Sequence, residues 1–121
     1  SQETEALSDW LRDLQSEGVA QLEIAILVRN SSVGSDFEEL GPRVILMHDA
    51  KGAEFRAVAV AGLDQDIIPD ERRLLSASDE GQLDEVMNTE RHLLYVAATR
   101  ARDHLWISGA EPVSEFLKDL I

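Results

Sequence analysis

The segment from Thr89 to Ser108 carries the arginines of this chain that are best placed for chemistry on a phosphate. Arg100 and Arg102 follow a predicted helix whose apolar residues recur at steps of three and four, and they precede a strand with Leu105 and Ile107 on one face. A guanidinium at such a junction is held by a packed scaffold and can still reach outward. The sequence therefore predicts a phosphate-reading arginine at the end of this helix. The apolar positions that define the helix are Leu83, Val86, Met87, Leu94, Ala97, Ala98 and Ala101.

The chain lacks the residues that would let it hydrolyse a nucleotide alone. Its lysines are Lys51 and Lys118, and neither follows a glycine as the phosphate-binding loop GxxxxGK[ST] requires. It has no GxSxG motif, no Ser/His/Asp set that spacing would nominate, and no cysteine. Its three histidines are scattered, so a zinc site is not indicated. Any activity must be shared with another domain.

Length and composition indicate one domain with its own core. Of the 121 residues, 44% are hydrophobic and 29% are charged, a profile typical of globular proteins. There is no signal peptide and no apolar run of about eighteen residues, so we expect a soluble cytoplasmic protein. Lys and Arg number 11 against 24 Asp and Glu, for a net charge of −13. Because duplex-binding proteins are normally basic, this chain alone is expected to bind DNA poorly.

The order of predicted elements favours an α/β layer fold with a mostly parallel sheet. Residues 62–81 are expected to form a long exposed loop, because Pro69 breaks any helix and the periodicity is weak. Tyr95 is expected to pack against the sheet. The other elements are an amphipathic helix over 3–17, buried strands over 23–29, 43–47 and 57–61, a loop with a helical turn over 30–42, a helix from about 82, a strand over 104–108 and a helix from 112 to about 120.

Three segments resemble, in the right order, signature motifs of the UvrD/Rep family of superfamily 1 DNA helicases. Ile24 to Asn30 (IAILVRN) is similar to motif IV, usually close to IAVLYRTN. His48 to Pro69 (HDAKGAEFRAVAVAGLDQDIIP) is similar to motif V, usually HSAKGLEFxxVFLxGLxxGxFP. Glu90 to Ala101 (ERHLLYVAATRA) is similar to motif VI, usually close to ERRLLYVAxTRA. Three motifs in series cover most of the chain and make the resemblance specific.

The resemblance implies a RecA-like three-layer domain, related to P-loop NTPases, that serves as the second motor domain of an ATP-dependent DNA helicase. In that family ATP lies between two RecA-like domains, and the second donates arginines across the cleft. Matched by position, Arg100 and Arg29 would contact the γ-phosphate as catalytic fingers. The chain's partners would be an N-terminal RecA-like domain of the same protein, which would hold Mg²⁺, and single-stranded DNA. We expect the two arginines at neighbouring ends of the sheet.

Other positions acquire expected roles from the same motifs. Glu54 would accept a hydrogen bond from the ribose of ATP, and Gly52 would let the backbone turn tightly beside the nucleotide. His48 and Lys51 belong to a segment that lies near single-stranded DNA in relatives. Glu90 is expected to bond elsewhere in the domain or across to the partner domain.

The chain departs from the family pattern in ways that leave a second interpretation open. Asp49 and Ala53 stand where relatives usually carry Ser and Leu, and a carboxylate repels a phosphate backbone. Larger helicases insert an accessory domain between motifs IV and V, whereas here residues 30–42 connect them, so that domain is either naturally absent or was removed. The start at Ser1 and the end at Ile121 indicate a piece of a longer protein. The alternative is an acidic protein-interaction module that keeps the helicase-like fold and binds no nucleotide.

Overall fold

A computed structural model describes residues 1–119 as a four-stranded parallel sheet with helices on both faces. The strands lie in the spatial order β2–β1–β3–β4, and every neighbouring pair is parallel, which confirms the predicted α/β class. Short 3₁₀ segments cover Gln21–Glu23, Glu38–Leu40, Met47–Asp49 and Glu115–Asp119. The helices and strands are α1 (Gln2–Ser16), β1 (Ile24–Val28), α2 (Ser31–Gly34), β2 (Arg43–Leu46), β3 (Phe55–Val60), α3 (Glu71–Ser76), α4 (Glu80–Ala98) and β4 (Ala101–Ile107).

Strand β1 lies inside the sheet and is buried along its whole length, as its unbroken apolar sequence predicts. Ile24, Ile26 and Val28 face the core under α1, whereas Ala25 and Leu27 face the core under α4. This alternation follows from the two-residue period of a strand. Two hydrophobic cores therefore lie on the two faces of the sheet, which makes the domain three-layered.

Helix α1 begins at a capping serine and buries one apolar stripe. The Ser1 side chain accepts a hydrogen bond from the Thr4 backbone, and acidic residues in the first turn favour the positive end of the helix dipole. Leu7, Leu11 and Leu14 are buried against the sheet. After the last turn Gly18 adopts φ 98°, the left-handed conformation predicted for it at the helix end.

Helix α4 packs its second half more tightly than its first. Asp79 caps the helix by accepting from the Gln82 backbone at 2.8 Å, while Leu94 and Ala97 are buried. The prediction that Tyr95 packs against the sheet is wrong, since its side chain is 60% exposed. It follows Leu94 by one position, about 100° around the helix, and so points away from the buried stripe.

The prediction of an exposed loop over residues 62–81 is wrong. Leu63, Ile68 and Pro69 are buried, and α3 follows them. These apolar side chains join the core under α4, where the Ser114 hydroxyl donates to the Ile68 carbonyl at 2.5 Å. A segment whose apolar side chains are buried in a core, and whose backbone groups are hydrogen-bonded there, is not a solvated loop.

Three other predicted elements differ from the structure. Strand β2 was expected to be buried, but it is an edge strand with its first residue exposed. Arg102 lies within β4 instead of at the end of α4. The helix expected from Pro112 is a 3₁₀ segment over Glu115–Asp119, and its predicted end at Leu120 lies outside the described residues. Among residues 1–119 no helix has the length and apolarity needed to cross a membrane.

Candidate functional site

Arg29 is fixed at the carboxyl end of β1 by a buried carboxylate of α4. Its Nε donates to Glu90 Oε1 and its Nη2 donates to Glu90 Oε2, both at 2.9 Å. The Glu90 side chain is fully buried, and that of Arg29 is 12% exposed. The paired bonds match the planar fork of a guanidinium to both oxygens of a carboxylate, an arrangement that holds the arginine in one orientation. Glu90 thus bonds within the domain, one of the two outcomes expected for it.

Two further groups converge on the same carboxylate. The Asp70 backbone N–H donates to Glu90 Oε1 at 2.8 Å, and Arg73 Nη1 donates to Glu90 Oε2 at 2.7 Å. The Asp70 carboxylate also lies 3.6 Å from Arg29 Nη2. Burial alone would raise the pKa of Glu90, but the hydrogen bonds from Arg29, the Asp70 backbone and Arg73 outweigh it and lower the pKa below its ordinary value of 4.5. Glu90 is therefore ionised at neutral pH.

A cleft of about 340 Å³ opens beside this network, between α4 and the segment that joins β2 to β3. Its apolar lining comes from Met47, Leu93 and Val96, and Thr89 supplies a hydroxyl. Although the chain carries a net charge of −13, the ionisable side chains that line the cleft are basic or imidazole-bearing, and among the described residues no carboxylate lines it. A cleft with this lining favours an anionic ligand that also has an apolar part. The basic and imidazole side chains are Arg29, His48, Lys51, Arg73 and His92.

Arg100 does not line this cleft, although it lies close to one end of it. Its Nε donates to the Val96 carbonyl at 3.1 Å, and Val96 lines the cleft. Its Nη1 donates to the Ala53 carbonyl at 3.2 Å, and its Nη2 lies 3.4 Å from the Thr99 hydroxyl. The guanidinium therefore joins the last turn of α4, where the helix dipole favours a cation, to the segment before β3.

The expectation that Arg29 and Arg100 lie at neighbouring ends of the sheet is wrong. Arg29 follows the carboxyl end of β1, whereas Arg100 precedes the amino end of β4, and the two strands are parallel to β3. The two arginines therefore lie at opposite ends of the parallel strands. Both arginines bond to α4, Arg29 at Glu90 and Arg100 at Val96, six positions further along the helix.

The segment between β2 and β3 supplies the remaining predicted site residues. Lys51 is exposed, and His48 lies 3.6 Å from Asp49 at its Nε2. Gly52 has φ 83°, which is the tight turn predicted at this position. Glu54 is exposed and lines a separate groove of about 750 Å³ that Asp49 also lines.

The structure thus divides the predicted site residues into two groups. Arg29, His48 and Lys51 line the same cleft, although the motifs assigned Arg29 to ATP and the other two to DNA. Glu54 lies next to Ala53, whose carbonyl binds Arg100, so these two residues belong to the opposite end of the segment. Sequence reasoning missed Arg73, because it lies on α3 in the stretch predicted to be a loop. Neither its spacing nor the quoted motifs pointed to it.

Residues 5–112 match the family model described as the UvrD-like helicase C-terminal domain. The chain belongs to this family. The UvrD-like match runs through all four segments that line the cleft, namely the end of β1 with Arg29, the segment between β2 and β3, α3 with Arg73, and α4.

Two UvrD-like relatives match about three fifths of this chain. YjcD of Bacillus subtilis is 42% identical over 73 residues, which cover 59% of this chain and 9% of YjcD. The ATP-dependent DNA helicase PcrA of Staphylococcus aureus strain MRSA252 is 40% identical over 72 residues, covering 60% of this chain and 9% of PcrA. The matched part of the chain thus spans about a tenth of the length of these curated relatives.

A solved structure shows the same fold. The crystal structure of the C-terminal domain of a possible DNA helicase from Lactobacillus plantarum WCFS1 has a TM-score of 0.64 and 20% sequence identity. The match covers 95% of this chain and 71% of that one. The parallel sheet with helices on both faces is therefore the fold of a helicase C-terminal domain.

Proposed function

We propose that this chain is the second motor domain of an ATP-dependent DNA helicase or translocase, completing an ATP site whose other half lies on an N-terminal RecA-like domain. Membership of the UvrD-like family supports this role, as does the similarity to PcrA, whose name describes an ATP-dependent DNA helicase. The observation that carries the proposal is the cleft. Four segments of the chain bring basic and imidazole side chains to one place on an acidic chain, with Arg29 held in a fixed orientation.

In this proposal the arginines act on the terminal phosphate of ATP. Charge spreads over the phosphoryl oxygens in the transition state, and a guanidinium supplied by a second domain stabilises that charge. Arg29 already borders the cleft, whereas Arg100 is bonded to two carbonyls of its own domain. Since the two arginines lie at opposite ends of the sheet, Arg100 would have to leave those carbonyls before both could contact one phosphate. Closure of the two motor domains would supply that movement.

In this proposal the chain contributes arginines that contact ATP and does not contribute the phosphate-binding loop. It has no phosphate-binding loop, so the N-terminal domain would hold the β-phosphate and Mg²⁺. Glu54 is exposed beside the segment that binds Arg100, and it would accept a hydrogen bond from the ribose. Gly52, in its left-handed turn, would let the backbone approach the nucleotide without a side chain in the way.

His48 and Lys51 are proposed to contact single-stranded DNA. Both lie on the exposed segment between β2 and β3 and could bind a phosphate backbone. Asp49 lines the other groove, and its Oδ1 lies 3.6 Å from Nε2 of His48. With a net charge of −13, the chain would need the partner domain to bind DNA tightly.

The accessory insertion between motifs IV and V is proposed to be absent from this domain. Strands β1 and β2 pair directly from Ala25 with Arg43 to Val28 with Leu46. The connection between them holds α2 and one 3₁₀ segment, with Phe37 buried in the core under α1. This short connection closes the sheet without a further domain.

The decisive test is Arg100→Ala in the parent enzyme, assayed for DNA-stimulated ATP hydrolysis. We expect kcat to fall by about 10³-fold or more, as for arginine fingers donated by a second domain. The matched control is Arg102→Ala, because Arg102 is an exposed arginine on β4 that lies 3.6 Å from Asp103 and outside the cleft. Normal turnover in Arg100→Ala would contradict the proposal and favour an interaction module that binds no nucleotide.

A further inference from the structure

Arg73 shares its cleft with the proposed DNA contacts and not with the other residues proposed to contact ATP. The cleft lining includes Arg73, His48 and Lys51. Arg100 instead precedes the amino end of β4, and Glu54 lines the separate groove. An anion bound by Arg73 would therefore lie on the side of the DNA contacts.

Arg73 is anchored through one nitrogen and keeps two donors for a ligand. Its Nη1 donates to Glu90 Oε2 at 2.7 Å, so its Nε and Nη2 lie outside that bond, and its side chain is 40% exposed. These are the same two nitrogens with which Arg29 binds both oxygens of Glu90. Arg73 thus presents a fork that fits two oxygens of one anion. Within the described part of the chain, a phosphate in the cleft would meet no carboxylate of the lining.

The cleft also offers a surface for a flat apolar group. Its apolar lining comes from Met47, Leu93 and Val96, and two histidines, His48 and His92, line it as well. His92 is exposed on α4. Proteins that bind single-stranded nucleic acid combine basic side chains along the backbone with aromatic rings, histidine among them, against which bases stack. Since the bases of a duplex are already stacked on one another, a cleft of this kind favours an unpaired nucleotide.

We propose that the cleft holds one unpaired nucleotide of the DNA strand, with Arg73 contacting its phosphate and the His92 ring stacking on its base. This inference rests on the proposed function of the domain and adds two residues to which the motifs gave no role. A phosphodiester presents two unsubstituted oxygens, which match the Nε and Nη2 donors of Arg73. The sugar joins that phosphate to a base, which the apolar lining receives.

The experiment measures how tightly the parent enzyme binds two oligonucleotides of equal length, at several salt concentrations. One is oligodeoxythymidine, and the other has the same sugar-phosphate backbone without bases. In Arg73→Ala we expect both to bind about tenfold more weakly, as for losing one charged hydrogen bond, with a slope of log affinity against log salt smaller by about 1. In His92→Ala we expect about tenfold weaker binding of oligodeoxythymidine, the size of one stacked base, and unchanged binding of the backbone without bases.

Matched controls separate these contacts from changes of charge and of fold. Arg72→Ala removes the same charge from an exposed neighbour on α3, and His104→Ala removes an imidazole from β4; neither residue is part of the cleft lining. Arg73→Lys keeps a positive charge beside Glu90 without the fork, so it should preserve the salt slope more fully than the affinity. The melting temperature of each variant reports loss of fold.

Three outcomes would overturn the inference. If Arg73→Ala melts at a lower temperature while its affinity and salt slope equal those of Arg72→Ala, Arg73 only satisfies Glu90. If His92→Ala weakens both oligonucleotides equally, or neither, no base stacks on its ring. If Arg73→Ala raises KM for ATP while DNA binding stays normal, the anion is the nucleotide. The proposed function survives each of these results as long as Arg100→Ala loses ATP hydrolysis, and it fails if Arg100→Ala turns over normally.

Discussion

Arg29 and Glu90 join the end of the central strand to the middle of α4 through two hydrogen bonds of 2.9 Å. They are 61 residues apart in sequence, so the pair forms only when the sheet and α4 are docked. A buried carboxylate that loses its charge leaves its cationic partners unpaired, and breaking such a pair typically costs about 3–5 kcal/mol. We therefore expect Glu90→Gln, which keeps the shape of the side chain, to lower the free energy of unfolding by an amount of this order.

Urea unfolding of this chain measures the effect. Glu85→Gln is the matched control, because it removes the same charge from an exposed position on α4. An equal stability of the two variants would contradict the assignment of Glu90 as the centre of a buried network.

The same carboxylate predicts how stability depends on pH. Burial raises the pKa of Glu90, but the hydrogen bonds from Arg29, the Asp70 backbone and Arg73 outweigh burial, so the pKa in the folded chain lies below 4.5. The unfolded chain therefore takes up this proton at a higher pH than the folded chain. The contribution of Glu90 to stability is fully present above about pH 4.5 and declines as the pH falls through the lowered pKa.

Unfolding free energies measured from about pH 7 down to about pH 3 would check this dependence. The difference between the wild-type chain and Glu90→Gln should be largest near neutral pH and shrink on acidification. A difference that stays constant, or grows, across that range would contradict the lowered pKa.

The sequence predicted the sheet and the positions of its central strands because their signals are local. The unbroken apolar run of β1 has one stable environment, a strand covered on both faces, and the structure places it there. The spacing of Leu7, Leu11 and Leu14 likewise leaves one buried face for α1. Patterns of this kind depend on neighbouring residues, which a sequence displays directly.

The site was only partly predictable because its organising contacts are distant in sequence. Glu90 was visible as a motif residue, but its pairing with Arg29 and Arg73 depends on how α3 and α4 dock. Arg73 was missed because the segment before α3 looked polar, while the burial of Ile68 draws it into the core. The separation of Arg29 and Arg100 was missed for a related reason. The order of motifs along the chain does not show at which end of the strands each residue lies.

Lys51 offers a test of the proposed DNA contact that is independent of ATP chemistry. It is exposed and lines the cleft, so removing its charge should weaken binding of single-stranded DNA by the parent enzyme about equally for all sequences. Because each phosphate contact releases condensed counterions, Lys51→Ala should also reduce the slope of log affinity against log salt by about 1. Binding isotherms at several salt concentrations, with fluorescent oligonucleotides of two unrelated sequences, measure both quantities.

Arg12→Ala is the control for that loss of charge. Arg12 lies on α1, which packs against the other face of the sheet, and it is paired with Asp9 at 3.1 Å. Its removal changes the net charge by the same amount and should leave the salt slope unaltered. If Arg12→Ala and Lys51→Ala reduce affinity equally, the effect is one of overall charge, and the segment between β2 and β3 does not contact DNA. A reduced slope in Lys51→Ala alone would place a phosphate of the DNA strand beside Lys51.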